Sequence, residues 1–98
     1  MNARNTDPTT SHEAAASVTR VTDKRTACLD AIRELGPCTD EELAIHYARG
    51  VAEGRWPRQS QSGLRTRRSE LTREGVLRDS GIRALTISGR RSILWEIA

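Results

Sequence analysis

Ninety-eight residues, 36% of them hydrophobic and none of them Phe, fill one small domain around an aliphatic core with Trp56, Trp95 and Tyr47 as its aromatics. No apolar run reaches the roughly eighteen residues of a membrane span, and no apolar signal core opens the chain, so a cytoplasmic protein is expected. The net charge of +3 hides a polarity: residues 23–54 hold four basic and seven acidic side chains, whereas residues 55–91 hold ten arginines against Glu70, Glu74 and Asp79. A cationic half beside an acidic half suits a protein that lays one face on a polyanion.

Residues 1–21 are Thr, Ser, Ala, Asn and charge, with Pro8 and, after Met1, no large apolar residue before Val18. Such a stretch buries too little to offset the entropy of ordering it, so a disordered tail is expected ahead of a folded domain over 22–98. A first helix follows over Asp23–Leu35, with Thr22 as its cap. Cys28, Ala31, Ile32 and Leu35 keep the spacing of one apolar face, and Gly36-Pro37 ends it. Cys38 then has room only for a short bridge.

Thr39-Asp40-Glu41-Glu42 is a capping box and opens the second helix, with three acids at its positive end. Leu43, Tyr47 and Val51 recur on one face, and Gly54 stops it. Gly50 costs this helix about 1 kcal/mol against Ala. His46 reads as a residue at the core edge, without a nucleophile or carboxylate set beside it. Cys28 and Cys38 match no zinc spacing with His12 or His46, so no metal is expected. The thiols read as small buried hydrophobes, with a disulfide as the alternative. In Arg55-Trp56-Pro57-Arg58-Gln59, Pro57 turns Trp56 out of helix. The connection is longer than a tight helix-turn-helix allows, and Trp56 is placed to plug the gap between the second and third helices.

The third helix lies within Gln59–Gly75, capped by Ser60 or Ser62 and closed by Gly75. Leu64 and Leu71, two turns apart, share its inner side. The opposite side collects Ser62, Thr66, Ser69 and Arg73 with Arg65 on the flank, and Arg58, Gln59 and Gln61 lead into it. These side chains can reach base edges or phosphates. Arg67 and Arg68 flank the leucines and can pair internally with Glu70, Glu74 or the acids of the second helix. A strand from Val76 breaks at Ser80-Gly81 and resumes over 83–87. Ser88-Gly89-Arg90 turns it, and Ser92–Ile97 returns with Ile93, Trp95 and Ile97 on one side. Arg83, Arg90 and Arg91 gather near the hairpin tip, where they read as phosphate or minor-groove contacts.

At Ser62-Gly63-Leu64-Arg65-Thr66-Arg67-Arg68-Ser69-Glu70-Leu71, Asp79-Ser80-Gly81 and Ser88-Gly89-Arg90-Arg91-Ser92-Ile93-Leu94-Trp95, the chain resembles the small winged helix-turn-helix proteins of actinobacteria and their phages. The resemblance covers residues 22–98. It implies an α+β fold of three helices and a C-terminal β-hairpin wing, with double-stranded DNA as partner. Ser62, Arg65, Thr66, Ser69 and Arg73 would then face the major groove, and Arg90 and Arg91 would lie on the wing. The leading expectation is a sequence-specific phage or bacterial transcription regulator without cofactor. The alternative is a protein-interaction module that docks the same arginines on an acidic host protein, with Trp56 as anchor. An enzyme is not expected, since no paired carboxylates, phosphate-cradling loop or metal cluster is legible. Monomer and homodimer both stay open.

Overall fold

The computed structural model describes the backbone of residues 10–98 and the side chains from Asp23 onward. The element order is α1 (Thr10–Leu35), α2 (Asp40–Ala52), α3 (Gln61–Arg73), β1 (Leu77–Leu85) and β2 (Arg91–Ile97). Three helices followed by an antiparallel hairpin make a winged helix-turn-helix. The tail expected over 1–21 falls on residues outside those described with side chains. As a backbone element α1 is longer than Asp23–Leu35, and Thr22, expected as its cap, lies inside it. No Gly or Pro interrupts the chain between Pro8 and Gly36, and Ala14-Ala15-Ala16 favours helix over that stretch.

One core joins the three helices and β1. Ala27, Cys28, Ala31 and Ile32 of α1 meet Leu43 and Tyr47 of α2, Leu64 and Leu71 of α3, and Cys38 and Leu77. Ile32, Leu43, Leu64, Leu71 and Leu77, each 4% exposed or less, contribute about 1.5–3 kcal/mol apiece by leaving water. Leu35, expected on this face, is instead exposed, because it lies in the last turn where Gly36 already carries the chain away at φ 76°. Cys28 and Cys38 are free and buried. Burial pushes the Cys28 thiol up to about 12 and the Cys38 thiol to about 11, so both stay protonated at neutral pH.

The capping box of α2 is formed in full. Thr39 Oγ1 accepts from the Glu42 amide at 3.1 Å, and Glu42 Oε1 accepts from the Thr39 amide at 2.9 Å. Just before it, Cys38 pairs with Trp95 through two backbone bonds of 2.9 and 2.8 Å, adding a short third member to the sheet. In the wing, Leu77 faces Ile97 and Leu85 faces Arg91, with the register shifted between Asp79 and Arg83. The expected break at Ser80-Gly81 is therefore a bulge inside one strand. No helix among the described residues is long and apolar enough to cross a membrane.

Candidate nucleic-acid interface

The entry into α3 is held from several sides. Between Ala52 and Gln61, Arg55 donates its amide to the Gly50 carbonyl at 2.8 Å and its guanidinium to Glu34. Trp56 folds back on α2, stacked on Tyr47 at 5.3 Å and 16°, with the Arg55 guanidinium 4.5 Å over its ring. A Cβ on Gly50 would overlap that ring, which explains a glycine inside a helix. Trp56 was expected between the second and third helices; its ring lies on the α2 flank because Gly50 leaves a flat seat there. The Tyr47 hydroxyl donates to the Pro57 carbonyl, and Gln59 donates its amide to the Lys24 carbonyl of α1 at 3.3 Å. A long connection is thereby fastened to α1 and α2, and it delivers α3 in a fixed place.

Ser60 caps α3, its Oγ accepting from the Gly63 amide at 2.9 Å. The inward flank of the helix spends its charge on neighbours. Arg68 grips Asp40 with two bonds of 2.9 Å while its guanidinium lies 3.9 Å over the Trp95 ring, so one side chain joins α3 to α2 and β2. Arg67 Nη2 donates to Glu70 at 3.2 Å. From α1, Arg25 reaches Glu70 at 3.3 Å and Glu74 at 2.7 Å. Desolvation pushes the Glu70 carboxyl up, but Arg67 and Arg25 together hold it below its ordinary value.

The outward flank is different. Ser62, Arg65, Thr66, Ser69 and Arg73 line one shallow depression along α3. All but Ser69, which is half-buried, are exposed. Around the N-terminal end of α3 a second groove runs to the wing, lined by Gln61, Arg65, Arg90 and Arg91 and by Asp40 and Glu41 of α2. Its two acids are already engaged, Asp40 by Arg68 and Glu41 by the Ile87 amide at 2.6 Å. Arg65 lines both depressions and so joins the helix face to the wing. Among the described residues, Arg58, Arg65, Arg73, Arg90 and Arg91 form no ion pair, whereas Arg25, Arg55, Arg67, Arg68, Arg78 and Arg83 each do.

Eight of the eleven residues singled out from the sequence thus share one continuous surface, Gln61, Ser62, Arg65, Thr66, Ser69, Arg73, Arg90 and Arg91. Three stand apart. Gln59 is half-buried and bonded to α1. Arg58 lines an apolar hollow with Tyr47 and Val51 that meets the groove at Gln61. Arg83 pairs across the bulge with Asp79 at 3.1 Å, and the same Asp79 Oδ1 accepts from the Gly81 amide at 2.8 Å. The Gly81 amide first, and Arg83 second, hold the Asp79 carboxyl below the usual carboxylate range. Sequence reasoning missed Glu41 as the clasp of the wing tip. Its place among the acids of the first turn of α2, at the positive end of the helix, gave it a sufficient local explanation.

No protein-family model, curated protein or solved structure matches the chain.

Proposed function

We propose that the chain binds double-stranded DNA sequence-specifically, as a phage or bacterial transcription regulator, with α3 in the major groove and the wing's arginines on the adjacent backbone or minor groove. One observation carries this reading: Arg65, Arg73, Arg90 and Arg91, unpaired among the described residues, share a continuous surface with the hydroxyls of Ser62, Thr66 and Ser69. Guanidiniums serve phosphates and guanine edges, and hydroxyls between them serve either, which is the mixture a groove-reading helix requires. The first turn of α3 carries no acid, so its positive end stays available to a phosphate, unlike that of α2. An acidic protein docking on the same arginines would draw on Trp56 as its anchor. Trp56 packs against Tyr47 and Gly50 instead, which takes that support away.

Fluorescence anisotropy on a mixed-sequence duplex at two salt concentrations tests the reading. With four or five phosphate contacts, log affinity should fall against log salt with a slope of about −4. The Arg65→Ala/Arg73→Ala variant should lose about 1–3 kcal/mol per base-reading residue and flatten the slope by about 2. Absence of binding at low salt would overturn it. Selection of a preferred site from a random pool would then establish whether the helix reads sequence.

A further inference from the structure

The wing displays more apolar surface than its own folding uses. Leu77 anchors the hairpin base in the core, but Ile82, Leu85 and Ile87 are 59%, 72% and 83% exposed, rising towards the apex. Isolated apolar side chains are ordinary on a surface. Three within six residues of one hairpin are more than that, and the apex of a turn is where Gly, Asn, Asp or Ser usually stands.

The apex is also stiff. Thr86 donates its amide to the Arg90 carbonyl at 2.8 Å, and its Oγ1 accepts from the Arg90 amide at 3.1 Å. Gly89, at φ 84°, donates to the Thr86 carbonyl at 2.9 Å, and the Thr86 and Ser88 hydroxyls bond at 2.8 Å. From outside the wing, Glu41 of α2 accepts the Ile87 amide at 2.6 Å. The backbone under Ile87 is therefore braced from both sides while its side chain is held out with little to pack on. Three and four residues on, across the turn, come Arg90 and Arg91, without carboxylate partners among the described residues, the latter in register with Leu85. An exposed apolar point on a turn that also carries two cations suits the minor groove, where stacked base edges lie between two phosphate rails.

We infer that Ile87 is a wedge: it enters the minor groove of the bound duplex, partly unstacks one base step and bends the DNA, with Arg90 and Arg91 on the flanking phosphates. The inference rests on the proposed DNA binding and adds an architectural effect to it. Flexible pyrimidine–purine steps should be the preferred point of entry.

A duplex of about 20 base pairs with TA steps at its centre and a donor and acceptor dye on its ends tests the wedge, titrated at low salt with anisotropy and energy transfer read together. Wild type should raise transfer at saturation. Ile87→Ser should keep the dissociation constant within about fivefold and the salt slope unchanged, yet lose at least half of the transfer change. Ile87→Met should restore it, because an apolar side chain of similar reach is all the wedge requires. Equal transfer changes for wild type and Ile87→Ser would overturn the wedge, as would a saturated wild-type complex with no transfer change, and both would leave DNA binding standing. No anisotropy change with wild type would overturn both readings.

Discussion

Arg65 and Arg73 on one flank of α3, and Arg67 and Arg68 on the other, are the same side chain within nine residues of one helix, yet they live in different chemistry. Arg67 and Arg68 are 17% and 14% exposed and lie against carboxylates. Arg65 and Arg73 are exposed and unpaired among the described residues. The difference is not intrinsic to the helix. It is set by what the rest of the fold brings to each flank, namely Asp40 from α2, Trp95 from β2 and Arg25 bridging from α1 to Glu70 and Glu74. A cluster of arginines in the sequence is thus two populations, one holding the domain together and one left over for a partner.

The largest test of that division is Arg68→Ala. Removing a two-bond pair with Asp40 and the stack on Trp95 should lower stability by about 2–3 kcal/mol, read as a shifted urea midpoint with unchanged slope. Arg68→Lys should recover only part, since an ammonium cannot make the fork or lie flat on the ring. A double-mutant cycle with Asp40→Asn then isolates the pair.

Next in size is Gly50→Ala. Helix propensity alone would make it stabilising by about 1 kcal/mol, but the added Cβ overlaps the Trp56 ring, and displacing that ring should give a net loss of about 1–2 kcal/mol. A gain in stability would mean that Trp56 does not hold the connection. Because the same connection positions α3, the variant should also weaken DNA binding more than Arg58→Ala does.

A smaller effect is expected at Glu34, where the pair with Arg55 first and the bond to His46 at 2.9 Å second hold the carboxyl below its usual range. The unfolded chain then takes up this proton more readily than the folded one. The contribution is complete above the ordinary carboxyl value of 4.5 and is lost as pH falls through the folded value. Glu34→Gln should make the acid-side decline of Tm shallower below pH 4.5, and an unchanged profile would count against the pair.

The smallest effect sharpens the comparison most. Arg65→Ala/Arg73→Ala should leave the unfolding free energy from a urea titration within about 0.5 kcal/mol of wild type, because neither side chain supports the fold. A loss as large as that of Arg68→Ala would show that the two flanks do the same structural work, and the proposed interface would lose its basis.

Local signals in the sequence were enough for most of the architecture. Thr39 and Glu42 specify the start of α2, Gly36 and Gly75 the ends of α1 and α3, and Leu64 with Leu71 the inner face of α3, since caps, left-handed residues and helical spacing act over a few residues. The polar stripe from Ser62 to Arg73 was legible for the same reason. What the sequence could not settle was which cations are spent. Whether Arg83 is free depends on the bulge that carries Asp79 back to it, and whether Gln59 faces outward depends on where Lys24 lies. Gly50 is a costly helix residue until Trp56, folded back from the connection, is seen to need the space. Glu41 is one first-turn acid among three until the wing's Ile87 amide arrives against it. Each of these is a contact between residues distant along the chain or across a turn, and their partners are chosen by how the helices and hairpin pack, which no local pattern encodes.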